Sequence, residues 1–401
     1  MAIYLDYNAT TPVDPAVRDA MLPFLGENFG NAGSVHSAGQ RARAAVDAAR
    51  ESVAALIGAK PSEIVFTSGG TEADNLAIFG SIGDSVAVSQ KPRKHVITTA
   101  IDHHAVLHSC EELERQGIDV TFVPVGRGPD SQGVIDPEEI RRALRPETAL
   151  ITVMHANNEL GTIQPVEEIA RIAAEAGVRF HCDAVQSAGK VPLDVNRLGV
   201  DLLSISAHKF CGPKGVGALY VRTGTSLAPR FFGGHAERDR RPGTENVPGI
   251  VGIGKAAELA RKLLPEESVR IAALRDRLES ALLARIPAVR VNGDRTRRVP
   301  NTTNLSFAGA GGEALLIALD LQGVECSTGA ACSSGSTEPS HVLLASGLSR
   351  DDARSSLRFS LGRPTTAAEI DRAIEIIPGV IERIRALSPK APQPEAAASA
   401  R

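Results

Sequence analysis

Strong charge of one sign is missing from this chain. Its formal net charge is -3, which leaves no electrostatic footprint for nucleic acid or an anionic membrane. Long apolar runs are missing too, none approaching the roughly 20 residues that a membrane helix needs. The start, MAIYLDYNATTP, has neither a basic n-region nor an apolar h-region, so no secretory signal is read there. Cysteine is sparse, with five copies at Cys110, Cys182, Cys211, Cys326 and Cys332. Without a signal, that predicts free thiols in a reducing cytoplasm, and the NTT sequon at Asn301 carries no meaning there. No GxSxG occurs, which leaves a hydrolase nucleophile elbow unsupported. GIVGIGKA (249–256) falls short of a P-loop because Ala256 stands where Ser or Thr would hold Mg²⁺ and no strand precedes it. His104 and His108 are spaced i, i+4 like a metal pair, but no HExxH glutamate or third ligand accompanies them, so no permanent metal site is expected.

Lysine is also scarce, with nine copies against thirty-five arginines, so its placement carries information. The hydrophobic content of 43% is enough for a large core and two domains. Over the first 225 residues, short β-rich runs alternate with amphipathic stretches. The strands are expected at 64–66, 95–99, 120–125, 149–154, 178–182, 202–206 and 217–222. RARAAVDAARESVAALIG, HAVLHSCEELERQG and VEEIARIAAEAG each close on a glycine suited to a helix C′ cap. This alternation predicts an α/β fold, a mostly parallel sheet covered on both faces. After about residue 250 the order becomes α+β. Two helical segments (252–264 and 266–286) lead to strands at VRVNG and NTTNLSF, a helix EALLIALDLQG, a strand SLRFSLG and a last helix interrupted at Pro378-Gly379. The expected division is a large α/β domain over 15–255, and a small α+β domain from 1–14 with 256–388. The Pro/Ala-rich tail 389–401 has nothing to bury and is expected to be disordered.

Three strand ends carry the chemistry. In DLLSISAHKFCGPKGVGALYVR a buried strand runs through Ser206-Ala207-His208 into Lys209 and a glycine-rich turn. Ligands of open α/β sheets bind outside such carboxyl ends, and a Schiff-base lysine needs a desolvated place of this kind. The plainer alternative, a lysine that merely ends a strand, suits Lys214 better. In VRFHCDAVQS, Asp183 ends a buried strand one βα unit earlier. A carboxylate there could pair with the nitrogen of a pyridine cofactor whose protonated ring is an electron sink; alone it would read as a helix N-cap. Gln186 could reach the ring hydroxyl. In EIVFTSGGTEADNLAIFG, a strand runs into Ser68-Gly69-Gly70-Thr71 and a helix, where converging N–H groups can hold a phosphate. Together the three turns predict pyridoxal 5′-phosphate (PLP).

With these turns in view the chain resembles a group I cysteine desulfurase, within the class V PLP-dependent aminotransferase family. The resemblance covers nearly the whole chain: YLDYNATTPVDP, FGNAGSVHSAG, TSGGTEADNLAI, DHHAVL, MHANNELGTIQP, CDAVQSAGKVPLDV, SAHKFCGPKGVGALYVR, RPGTENVPGIVG, ECSTGAACSSGSTEPSHVL and SLRFSLGR. It implies the fold type I PLP-dependent transferase fold. It also implies that Lys209 carries the internal aldimine, that Asp183 pairs with the ring nitrogen, and that His103 stacks on the ring and moves protons. His103 is followed by His104 where the family more often has lysine or proline. Gly70, Thr71, Ser206 and His208 would bind the phosphate, with Thr244 reaching it from a neighbouring subunit, and Gln186 would contact the ring hydroxyl. Asn158 and Arg358 would hold the substrate carboxylate, Arg358 by a bidentate fork.

The implied reaction takes sulfur from L-cysteine onto Cys332 as a persulfide and releases L-alanine. The Ser/Gly-rich stretch around Cys332 resembles the long mobile loop of group I. A transient role of Cys332 as an iron–sulfur ligand stays open. The implied partners are an iron–sulfur scaffold or a tRNA-thiolation acceptor protein, and a second copy of the chain in a homodimer. No direct contact with nucleic acid or membrane is expected. Within PLP enzymes the alternatives are selenocysteine lyase and a class V aminotransferase, the latter having no use for the thiol. From another class, the alternative is a non-catalytic sulfur-carrier or scaffold-binding protein. Cys110 and Cys182 read as core residues and Cys211 as packing beside Lys209. The role of Cys326 stays open.

Overall fold

The computed structural model describes residues 2–88, 93–328 and 338–387. Its centre is a seven-stranded sheet in the order Ile64–Thr67, Gly217–Val221, Leu202–Ser206, Arg179–Asp183, Thr148–Met154, His95–Thr99, Asp119–Val123. Gly217–Val221 runs antiparallel to both of its neighbours, and the other adjacent pairs are parallel. Five of these strands, Thr148–Met154 among them, are buried along their whole length and Arg179–Asp183 is buried beyond its first residue, whereas the edge strand Asp119–Val123 is half open. Burial on both faces explains why the strands read as continuous β-branched and apolar runs, with little alternation. The edge strand stops at Val123 because Pro124 has no N–H to give the ladder.

The helices between the strands end where the glycines predict. Gly58, Gly117 and Gly177 have φ of 68°, 80° and 60°, a region a side chain rarely tolerates. The helix Gly70–Val88 starts directly at the glycine turn. GIVGIGKA lies inside a helix, which removes any P-loop reading.

A second, three-stranded antiparallel sheet has Thr302–Phe307 between Ser356–Ser360 and Val289–Asn292. It has its own core, in which Leu305, Phe307, Leu357 and Phe359 meet Leu278, Leu282, Ile370 and Ile377. The N-terminal strand Ile3–Tyr4 pairs in parallel with Val324–Glu325 beside this core.

The break expected at Pro265 does not occur. One helix runs Val247–Arg285 with Pro265 inside it, and Ala367–Leu387 likewise continues through Pro378. An interior proline costs one hydrogen bond and a ring clash, about 3 kcal/mol. The apolar faces on either side hold the helix through it. Ile250, Ile253, Ala256 and Ala260 pack in the large core, and Ile271, Leu274, Leu278 and Leu282 in the second.

Candidate active site

Parallel pairing puts the carboxyl ends of five strands on one edge of the central sheet, and a cleft of about 370 Å³ opens there. The antiparallel strand closes the site at one end. Gly217 pairs with Thr67 on one side and with Ser206 on the other, so the glycine turn and the Lys209 turn lie next to each other. A side chain at Gly217 would stand 2.7 Å from the Gly69 carbonyl carbon and from the Ile205 oxygen. One at Gly70 would stand 2.7 Å from the Val185 side chain. Both glycines are therefore demanded by close approach.

Gly70, Thr71, His103, Asn158, Asp183, Gln186, Ser206, His208, Lys209 and Arg358 all line this one cleft. The Lys209 amine donates to the main-chain oxygens of Asn8 (2.6 Å) and Ala9 (2.8 Å). Asp183 is buried and accepts from the Val185 N–H at 2.9 Å. Burial pushes its carboxyl up to about 6; the Val185 N–H opposes this, Asp102 adds to it, and the Lys209 amine opposes it.

His103 caps the helix His104–Arg115, its Nδ1 accepting from the Ala105 N–H at 3.1 Å. The proton of the neutral ring is thereby assigned to Nε2. Burial, then Lys209, lowers its pKa to about 4, so the ring is neutral at pH 7. His104 turns away from the cleft to stack on His108 at 4.7 Å and to meet His341 at 4.8 Å between ring centroids. That separates the two adjacent histidines: the first faces the cleft. His341 supplies a third imidazole to the pair read from sequence, yet among the described residues no three His, Cys, Asp or Glu groups are arranged to hold a metal ion.

Arg358 is buried on Ser356–Ser360. Its Nη2 donates to Asp6 Oδ1 (2.6 Å) and its Nη1 to the Asn158 oxygen (2.9 Å), while its buried Nε has no hydrogen-bond partner among the described residues. His208 Nδ1 lies 3.2 Å from Thr10 Oγ1, and burial followed by Lys209 lowers its pKa to about 4.

The chain matches the aminotransferase class-V family over residues 3–373. It belongs to the class V aminotransferase family. Among curated relatives, a cysteine desulfurase IscS of Dictyoglomus turgidum is 50% identical over 387 residues, covering 96% of each chain. A cysteine desulfurase of a Nostoc species is 52% identical over 96% of this chain and 94% of the relative. Among solved structures, a NifS-like protein has a TM-score of 0.88 at 38% identity, covering 96% of this chain and all of the other (100%). A structure of SspA in complex with cysteine has a TM-score of 0.79 at 38% identity, over 89% of this chain and 98% of that one.

As a class V aminotransferase family member the chain is a PLP-dependent enzyme of fold type I. The cleft fits that cofactor on its own chemistry. One end is a side-chain-free cradle at a helix N-terminus, which suits a phosphate. A buried carboxyl, Asp183, suits a protonated ring nitrogen, and an amine, Lys209, suits an aldehyde.

Thr244, expected to serve a neighbouring subunit, and Cys332 are not among the residues described along this cleft. Thr244 is exposed and lines a separate groove with Ser68, Gly215 and Gly243. Cys332 lies outside the described residues. The described flanks of its segment are both tied down near the cleft. Ser327 exchanges main-chain hydrogen bonds with Arg358, Ser340 Oγ donates to Glu159 Oε2 at 2.6 Å, and His341 Nε2 lies 3.2 Å from the Asp102 oxygen.

Sequence reasoning missed Asn8, Asp74, Met154 and Lys190. Asn8 is the hub of the site's hydrogen bonds. Its Nδ2 donates to the Asn158 oxygen and to Thr302 Oγ1, and its main-chain oxygen accepts from Gln186 Nε2 as well as from Lys209. No local pattern at residue 8 announces this. Asp74 is buried one helical turn after the glycine turn, its Oδ1 3.6 Å from His181 Nε2 and without a hydrogen bond among the described residues, and a carboxylate on a buried face was the signal to follow. Cys110 and Cys182 are core residues, as expected.

Proposed function

We propose that this chain acts as a group I cysteine desulfurase in which Lys209 binds PLP and Cys332 receives the sulfur. The carrying observation is the convergence in one cleft of an amine, a buried carboxyl and a phosphate cradle. Relatives about half identical over nearly the whole chain and named cysteine desulfurases support L-cysteine as the substrate.

Bound PLP supplies an electron sink at its protonated ring. Asp183 would hold the ring proton, Gln186 the ring hydroxyl, and His103 would lie against the ring. Gly70, Thr71, Ser206 and His208 would hold the phosphate. Arg358 and Asn158 orient the substrate carboxylate, the buried unpartnered Nε of Arg358 leaving a donor for it. Lys209 is assigned as the base that moves the substrate Cα proton. The Cys332 thiolate attacks the substrate sulfur: the S–S bond forms, the Cβ–S bond breaks, and its electron pair leaves with carbon, which takes a proton to become the methyl of alanine. Cys332 is left as a persulfide. The anchors of its segment at Arg358 and Glu159 support a thiol that works at this cleft.

A persulfide needs an acceptor, and an iron–sulfur scaffold or a tRNA-thiolation protein takes that place. The exposed Thr244 loop supports a homodimer in which Thr244 serves the partner's phosphate. Among the described residues no helix is long and apolar enough to cross a membrane; action in the cytoplasm is proposed from the free thiols. The large domain is assigned to 15–255 and the small one to 1–14 with 256–388.

Cys332→Ala assayed with L-cysteine should lose alanine and sulfide formation by at least about 10²-fold while keeping the coloured cofactor. Turnover at the parental rate would remove Cys332 from the reaction. Lys209→Ala should purify without the visible band of lysine-bound cofactor.

A further inference from the structure

A second lysine stands behind the first. Lys190 follows Gly189, four residues after Gln186, and its Nζ donates to Gln186 Oε1 at 2.7 Å and to Asn8 Oδ1 at 2.9 Å. Asn8 Oδ1 also accepts from Asn301 Nδ2 at 3.0 Å. Gln186 Nε2 donates to the Asn8 main-chain oxygen at 2.9 Å, the oxygen that accepts from Lys209 Nζ at 2.6 Å. Lys209, Asn8, Gln186 and Lys190 thus form one closed set of hydrogen bonds, with an amine at each end.

This arrangement settles which way the two amides face. A carbonyl oxygen can only accept, so Gln186 must turn its Nε2 toward the Asn8 carbonyl and its Oε1 toward Lys190. One N–H of Gln186 is then used and the other remains for the cleft, where Gln186 is a lining residue. Lys190 itself lines a narrow adjoining cavity and not the cleft.

The charged and titratable groups around its amine are Lys209, Arg358 and Cys211, with Tyr7, Glu267 and Arg363 lining the same narrow cavity. Among the described residues the hydrogen-bond partners of the amine are amide oxygens and no carboxylate. Burial pushes Lys190 well below the usual lysine range, and Lys209 followed by Arg358 push it the same way.

We infer that Lys190 is a positioning residue for the cofactor lysine: it pins the Gln186 and Asn8 amides that fix Lys209. The inference rests on the reading of Lys209 given under the proposed function. An acceptor held against a nitrogen favours its protonated form, so releasing the Asn8 carbonyl lowers the pKa of the Lys209 nitrogen.

The test is a pH titration of the visible band of lysine-bound cofactor in parental, Lys190→Met and Lys190→Ala protein, each reconstituted with PLP. The titration midpoint is expected to fall by about one pH unit in both variants. Lys190→Met fills most of the lysine's volume without its hydrogen bonds, whereas Lys190→Ala leaves a void, so the midpoint is read from whichever retains parental circular dichroism. An unchanged midpoint in a folded variant overturns the inference. Loss of fold in both variants overturns it as well, because the role would then be structural. Lys209→Ala is the control for the underlying reading: if that variant keeps the visible band, both readings fall. If it is colourless and the Lys190 midpoint does not move, only the role of Lys190 falls.

Discussion

The Lys209 amine donates to the main-chain oxygen of Asn8 at 2.6 Å, joining residues 201 positions apart. The pairing brings the N-terminal segment from the second core into the cleft of the central sheet. It continues there through the Thr11 N–H on the His208 oxygen and the Asp14 N–H on the Cys211 oxygen. The active site is therefore built between the two cores, with Asn8 holding residues of both.

Gly217 is far in sequence from the phosphate turn at Gly69-Gly70, but its missing side chain admits that turn. A Cβ there would meet main-chain atoms of Gly69 and Ile205, which cannot rotate aside. Gly217→Ala should weaken PLP binding by about 10–100-fold, the effect of an overpacking strain of order 1–3 kcal/mol. Equilibrium dialysis of the reconstituted protein measures it. Parental affinity would mean that the turn at Gly69-Gly70 does not seat the phosphate.

Arg358 divides its guanidinium between the Asp6 carboxylate, the Asn158 oxygen and a remaining Nε. A lysine cannot serve three directions from one plane. Arg358→Lys should raise KM for L-cysteine by about 10–100-fold. It should also destabilise the protein by about 1–3 kcal/mol through Asp6 and Asn158. Steady-state kinetics and chemical denaturation read the two effects separately, and an unchanged KM would remove Arg358 from substrate binding.

Glu159 is buried, and burial raises its pKa to about 7 against the opposing hydrogen bond from Ser340 and the charge of Arg358. Its folded pKa thus lies above the unfolded value near 4.5. Between those two values the native state binds more protons, so this group's contribution to stability falls as pH rises from about 4.5 toward 7 and stays low above it. Glu159→Gln keeps the acceptor for Ser340 and cannot ionise. It should be more stable than the parent at pH 8 by about 1–3 kcal/mol and equal to it near pH 4. Denaturation at the two pH values decides the matter; a variant less stable at pH 8 would show that the ionised carboxylate is needed where it stands.

Much of this protein is determined by sequence alone. Continuous apolar β-branched runs between glycine-capped amphipathic segments specify buried parallel strands and covering helices, because period and burial are local properties. Lys209, Asp183 and the Gly70 turn were legible for the same reason: each ends a strand, and parallel strands share the edge at which they end. Three matters were decided only by tertiary structure. The helix through Pro265 depends on two separate cores gripping its halves, a gain that no local rule at a proline can register. The choice of His103 over His104 depends on His341, which arrives from a remote helix to occupy the second ring. Asn8 and Lys190 acquire meaning only because the N-terminal segment crosses from one core to the other. Hydrogen bonds and charges act through space over a few ångströms, and which residues come that close is set by the path of the whole chain.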